Sequence, residues 1–309
     1  MAESVNYVFL LSLTIIILGN FLKRWNVISE ENGRFMAQLI FKLTLPAVIL
    51  DTVPYVNLEV SLLVMPLISF GFSAVVVAIG FILFKEYPRE EKGLILMTII
   101  GFNVGNFAYP LIEGIWGEQG LQYIAMFDVG NAFTIFALMY IIGAIFSPKT
   151  DADAESKVDK KEIFRKVSRS VPLLCYIIGL IVNVSGFKFP MFVQDVIGTI
   201  ARANMMIVLL TLGVFLDFNF EKSQWNNIIK VLLVRYAFGI GIGLLLYFLL
   251  PFSNFVKVII FVGLILPLGM GALTFSVEFG YDEKVVGTIN NITILISFGL
   301  MWLIVLILG

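Results

Sequence analysis

Apolar residues come in long runs along this chain, and polar residues gather in the short gaps between them. Ten runs qualify as membrane crossings: 5–22, 35–50, 60–84, 94–116, 121–146, 171–187, 196–216, 228–250, 255–279 and 285–308. A hydrocarbon core about 30 Å thick is crossed by roughly 20 helical residues. Most of the runs reach that length; the second and sixth are short. The fourth and ninth are interrupted internally by Gly, Asn and Pro. No segment shows the every-other-residue alternation of a membrane barrel. The pattern predicts an all-α membrane protein of about ten transmembrane helices.

The gaps set the orientation through their Lys and Arg. Counted alternately, one side collects Lys23, Arg24, Arg34, Lys85, Arg89, Lys92 and Lys149. The same side takes Lys157, Lys160, Lys161, Arg165, Lys166, Arg169, Lys222, Lys230 and Lys284, against little beyond Lys188 and Lys257 opposite. This predicts a multi-pass cell-membrane protein with both termini outside and the loop of residues 147–170 in the cytoplasm. That loop, with Asp151, Asp153, Glu155 and Lys157, reads as a solvated linker. The first run is preceded by Glu3 and no Lys or Arg, the reverse of a secretory signal, and is expected to be a retained span.

The linker divides the spans five and five: residues 1–147, a linker at 148–170, and residues 171–309. An odd number of crossings per half turns the second copy upside down, an inverted repeat. Short echoes support it. Leu43-Thr44-Leu45-Pro46 leads to Asp51, and Leu210-Thr211-Leu212-Gly213 leads to Asp217. The fourth span carries Pro110 and the ninth Pro267, while Gly120 precedes Asn131 by the interval at which Gly280 precedes Asn291.

The interruptions themselves read Gly101-Phe102-Asn103-Val104-Gly105-Asn106-Phe107-Ala108-Tyr109-Pro110 and Leu266-Pro267-Leu268-Gly269-Met270-Gly271. Proline lacks a backbone donor and clashes with the turn before it. Broken backbone at membrane depth survives only where protein or a watery cavity satisfies it. The reading is of crossing broken helices 4 and 9, open over residues 103–110 and 267–271, with half-helix amino ends near the midplane. The competing reading is two ordinary proline kinks with a glycine packing face. On the first reading Asn103, Gly105, Asn106, Pro110, Pro267 and Gly269 line a substrate site. Asn131, Asn290 and Asn291 add amide donors and acceptors to it.

Composition narrows the chemistry. The 309 residues are 59% hydrophobic and 14% charged, with net charge −1, so no basic surface for nucleic acid is expected. There is no histidine, and the single Cys175 has no intrachain partner, which leaves no metal or thiolate site and no cofactor to expect. Neither a phosphate-binding glycine loop nor a hydrolytic set of side chains is present, so an enzyme is not expected. Asp128, in the fifth span near Asn131, is matched by Thr288 in the other half. It is a candidate proton- or cation-coupling group, or else a carboxylate in an outer vestibule or paired with a cation. Lys42 is a further substrate candidate. Arg202 and Arg235 either attract an anion or snorkel and pair with acidic groups.

At these residues the chain resembles the auxin efflux carrier family, over nearly its whole length. The most specific piece is Asn103-Val104-Gly105 running to Pro110, similar to the family's Asn-Thr-Gly…Pro crossover; Leu45-Pro46, Val171-Pro172 and Pro267 leading to Glu278-Phe279-Gly280 support it. Val104 departs from the usual Thr, and the central loop is too short to carry the phosphorylated loop of plant members. The resemblance implies a crossover fold similar to bile-acid and sodium/proton transporters, and a homodimer. It also implies a scaffold of helices 1, 2, 6 and 7 and a transport unit of helices 3–5 and 8–10. The expected function is secondary transport of a small organic anion, auxin-like or a mono- or dicarboxylate such as malate or malonate. An elevator-type motion with proton or cation coupling is the expected mechanism. The alternative is a membrane sensor that binds its ligand on the same fold.

Overall fold

An apolar segment in lipid has no water to satisfy its backbone, so it must close its own hydrogen bonds, and a helix does this within one segment. In the structure, a computed structural model that describes residues 2–56, 59–149, 165, 170–216 and 224–309, helix occupies each of the ten apolar runs. Most of the 147–170 loop, and the Asp217 echo, lie outside the described residues. Among the described residues there is no strand, only one isolated bridge.

The helices are α1 (Ala2–Arg24), α2 (Glu30–Leu39), α3 (Leu45–Thr52), α4 (Val60–Leu83), α5 (Arg89–Thr98), α6 (Tyr109–Phe133) and α7 (Tyr140–Ile145). After the central loop come α8 (Val171–Ser185), α9 (Met191–Phe215), α10 (Trp225–Leu249), α11 (Asn254–Leu264), α12 (Gly271–Phe279) and α13 (Glu283–Leu308). Three π-helical segments, Ile40–Thr44, Val104–Ala108 and Thr134–Met139, join α2 to α3, lead into α6 and join α6 to α7. Seven helical stretches among the described residues are long and apolar enough to cross a membrane, with Val171–Ser185 and Asn254–Leu264 as shorter apolar helices. The stretch Val104–Ile145 has 42 residues, about 63 Å if straight, twice the hydrocarbon thickness. Gly117, with φ 60° and ψ −149°, divides it in the polar gap between the fourth and fifth runs.

Helix starts follow capping chemistry. Ser29 and Asn32 form a capping box at α2. The hydroxyls of Ser170 and Ser253 accept from Leu173 N and Val256 N, and Asp282 accepts from Lys284 N and Val285 N. Each satisfies an amide that the first helical turn leaves orphaned.

Among the described residues the chain forms two compact units. The first comprises Met1–Leu63, Val104–Val129 and Ser168–Leu216. Its centre is the crossing of α1 and α9, where Gly19 and Gly213 meet backbone to backbone; a Cβ on Gly213 would collide with the Ile16 carbonyl. Small residues allow such close approach where no water drives helices together. Polar side chains then stitch the unit. Asn20 donates to the carbonyls of Gly213 (3.3 Å) and Leu216 (3.0 Å), and Thr44 donates to Asn204 Oδ1 (2.8 Å). Asn183 Nδ2 faces the carbonyls of Pro54 and Val56 at 2.9 and 2.7 Å. Ile177, Ile181 and Val184 of α8 stay exposed, an apolar face suited to lipid.

The second unit comprises Val64–Asn103, Gly130–Val167 and Asp217–Gly309. It contains both interruptions of the apolar runs, with α10 packed along α11 and α13.

Candidate functional site

The first interruption spans Ile99–Asn103 and the second Ile265–Met270. The second falls where Pro267 and its glycines predict it. The first lies upstream of the expected 103–110. Residues 104–108 are π-helical and run without a gap into α6 at Tyr109, so Pro110 sits inside one helical stretch that begins at Val104, not in an open break. Proline inside a helix has no N–H to donate and crowds the turn before it, and the turn before Pro110 is the wider π-helical one. The residue that turns the chain is Gly101, whose φ of 72° is open to glycine and strained for a side chain.

The two interruptions pair with each other. Phe102 and Leu268 form an antiparallel bridge; Asn103 N donates to Pro267 O at 2.9 Å and Gly269 N to Gly101 O at 3.3 Å. Backbone that helices leave open is thus satisfied by backbone from the other break. Four side chains complete the pairing. Asn131 reads the Phe102 backbone at both ends, accepting from its N–H at 2.8 Å and donating to its carbonyl at 2.9 Å. Thr293 of α13 accepts from Leu268 N at 3.1 Å, and Ser297 donates to Ile265 O at 2.6 Å. The π-helical segment 134–139 closes over both, since Cβ atoms on Gly101 and Gly271 would meet Met139 and Ile135.

The fourth is Arg235, in the middle of α10 and 4% exposed. Nη1 donates to the carbonyls of Thr98 (3.1 Å) and Ile100 (3.2 Å); Nη2 donates to Gly101 O (3.1 Å) and Leu266 O (3.0 Å). Its guanidinium also lies 5.4 Å from the centre of the Phe102 ring. The sequence leaves Arg235 either to attract an anionic substrate or to snorkel and pair with an acid; among the described residues it has no acidic partner, and it bonds carbonyls of the α5 end and of both interruptions. Helix carboxyl ends carry partial negative charge, and those of α5 and α11 converge on this cation.

Of the predicted site residues, the structure brings together Asn103, Asn131, Pro267 and Gly269. Asn290 and Asn291 precede Thr293 on α13 and are 4% and 9% exposed. Their Oδ1 atoms have no hydrogen-bond partner among the described residues. Gly105, Asn106, Pro110, Asp128 and Lys42 belong to the first unit. There, Gly105 packs on Leu45, Asn106 and Pro110 are buried, and Lys42 is exposed. Asp128, 9% exposed, accepts from the Tyr176 hydroxyl at 2.9 Å. Since Tyr176 spends its proton on that carboxylate, Tyr109, hydrogen-bonded to Tyr176, is the donor in their pair. The order of donation is therefore Tyr109 to Tyr176 to Asp128. Neither tyrosine, nor Thr293, carries a spacing in the sequence that would mark it.

Comparison with known proteins decides the class. A family model described as membrane transport protein matches residues 7–307. The chain belongs to the membrane transport protein family, the auxin efflux carrier-like group. This transport protein is 24% identical over 307 residues to an uncharacterized transporter of Methanocaldococcus jannaschii, covering 95% of each chain. It is 21% identical over 216 residues to an uncharacterized transporter of Methanothermobacter thermautotrophicus, covering 69% of this chain and 68% of the other. It is also 22% identical over 243 residues to the uncharacterized transporter YfdV of Escherichia coli K12, covering 73% and 74%. Membership and apolar helices together make it a multi-pass membrane transporter.

Proposed function

We propose that this transporter carries a small organic anion, a mono- or dicarboxylate, by secondary active transport, with the substrate held beside the paired interruptions. The observation that carries the reading is the pairing of two broken apolar spans next to the buried amides of Asn290 and Asn291. An amide offers its carbonyl or, after a half-turn, its NH2, so it binds a carboxylate or a substrate hydroxyl without a full charge to desolvate. Asn103, Pro267 and Gly269 complete the wall, while Asn131, spent on Phe102, positions it.

Asp128 is the coupling group in this proposal. Ionised, it takes the Tyr176 hydroxyl; protonation removes the charge that this chain of donors serves. Asp128→Asn then leaves uptake insensitive to an imposed pH gradient while substrate still binds. The moving and fixed parts follow the family pattern, helices 3–5 and 8–10 against 1, 2, 6 and 7, in a homodimer at the cell membrane. Both termini face outside and the 147–170 loop faces the cytoplasm, which cysteine labelling of intact cells tests at a residue introduced in that loop.

The deciding experiment is uptake of radiolabelled malate, malonate and monocarboxylates into proteoliposomes, alongside equilibrium binding. Uptake of at least one is expected. Asn291→Ala weakens its binding roughly tenfold, the worth of about one buried hydrogen bond. Binding without uptake makes the protein a sensor and overturns the proposal.

A further inference from the structure

Arg235 sits where a separate cation would be expected to bind. Four carbonyl oxygens, from Thr98, Ile100, Gly101 and Leu266, surround its guanidinium at 3.0–3.2 Å. They come from the ends of two half-helices, whose partial negative charge favours a cation. Unwound carbonyls and half-helix carboxyl ends are the groups from which membrane carriers build sites for coupling cations. No carboxylate pairs with Arg235 among the described residues, and its guanidinium lies over the face of Phe102. The crevice around it, walled by Phe72, Ile99, Phe102, Tyr236 and Leu266, has no room for a water-sized body. A guanidinium keeps its charge throughout the physiological range and spreads its donors in a plane, which suits carbonyls drawn from two separate segments.

We propose that these carbonyls form a cation cage whose permanent occupant is the Arg235 guanidinium, tethered in place of an exchangeable ion. One cation then ties both interruptions together, and no alkali cation enters the cage of the intact protein. Removing the side chain turns the cage into a binding site for a small free cation of matching shape. The proposal concerns the cage and does not depend on which substrate is carried; a stability readout keeps the two separable, because it needs no substrate.

The test is thermal unfolding of the purified full-length protein in detergent. The wild-type midpoint is expected to be the same in sodium chloride and in choline chloride at equal ionic strength; a sodium-specific rise in the wild type overturns the proposal. Arg235→Ala is expected to lower the midpoint by about 10 °C. Guanidinium chloride at low millimolar concentration restores a large part of that loss, whereas urea, similar in shape but neutral, restores none. Equal rescue by both, or rescue by neither, overturns it. Should the alanine variant not fold, Arg235→Lys and Arg235→Gln carry the test. The lysine keeps the charge and the glutamine keeps only donors, so lysine is expected to melt several degrees higher; a glutamine variant as stable as the lysine variant overturns the proposal.

Discussion

The two interruptions sit side by side yet are held by different chemistry. At Ile99–Asn103 the turn is made by Gly101, and one side-chain amide, Asn131, takes both the N–H and the carbonyl of Phe102. At Ile265–Met270 the opening is made by Pro267, and two hydroxyls on α13 divide the work: Thr293 accepts from Leu268 N and Ser297 donates to Ile265 O. An amide can mimic a peptide group and so replace a missing strand neighbour; a hydroxyl satisfies one backbone group at a time. Arg235 aside, the first break is therefore bonded by one side chain, Asn131, and the second by two, Thr293 and Ser297. Arg235 donates hydrogen bonds to both.

That difference orders the expected effects of substitution. Arg235→Ala is the largest, about 3–5 kcal/mol, because it strips a buried charge from four carbonyls. Amide exchange should then rise at residues 99–103 and 265–270 alike; a rise at one break alone breaks the claim that the cation is shared. Asn131→Ala comes next, about 2–3 kcal/mol, since it orphans two buried backbone groups of Phe102. Exchange at the first break should rise at least tenfold while the second stays protected. Thr293→Val keeps the shape and removes one acceptor, costing about 1–2 kcal/mol. Its effect should be confined to the second break, with Ser297 limiting it. Tyr176→Phe is the smallest, about 1 kcal/mol. It lies in the first unit and the breaks in the second; exchange at both breaks should match the wild type, and a rise there contradicts a purely local effect.

Much of this architecture is legible from residue pattern, and the rest is not for identifiable reasons. The apolar runs reveal the helices because lipid demands internally bonded backbone. Pro267 and its glycines mark the second break. The first break lies upstream of Pro110: a π-helical turn carries the helix through that proline, and glycine at positive φ leaves no mark beyond being glycine. The sequence offers Asn131 as an amide lining the site; its bonds to Phe102, 29 residues away, are a contact that spacing does not reveal. Arg235 was recognisable as an unusual charge, but its partners are backbone carbonyls as far as 137 residues off, and carbonyls have no residue type to read. Tyr109 and Tyr176 sit in apolar stretches where an aromatic looks like any other core residue. Asp128 shows the reverse case: a carboxylate inside a span marks itself.

The central claim is that the two interruptions are paired and travel as one body. Phe102 and Leu268 face each other as a non-hydrogen-bonded antiparallel pair, whose Cα atoms lie about 4.5 Å apart, within the range a disulfide spans. The measurement is disulfide formation in membranes for Phe102→Cys with Leu268→Cys, in a background where Cys175 is replaced by Ala, followed by uptake before and after reduction. The account predicts rapid cross-linking under mild oxidation and equal uptake in the oxidised and reduced states. Thiols that stay free, or a cross-linked protein that transports only after reduction, would contradict it.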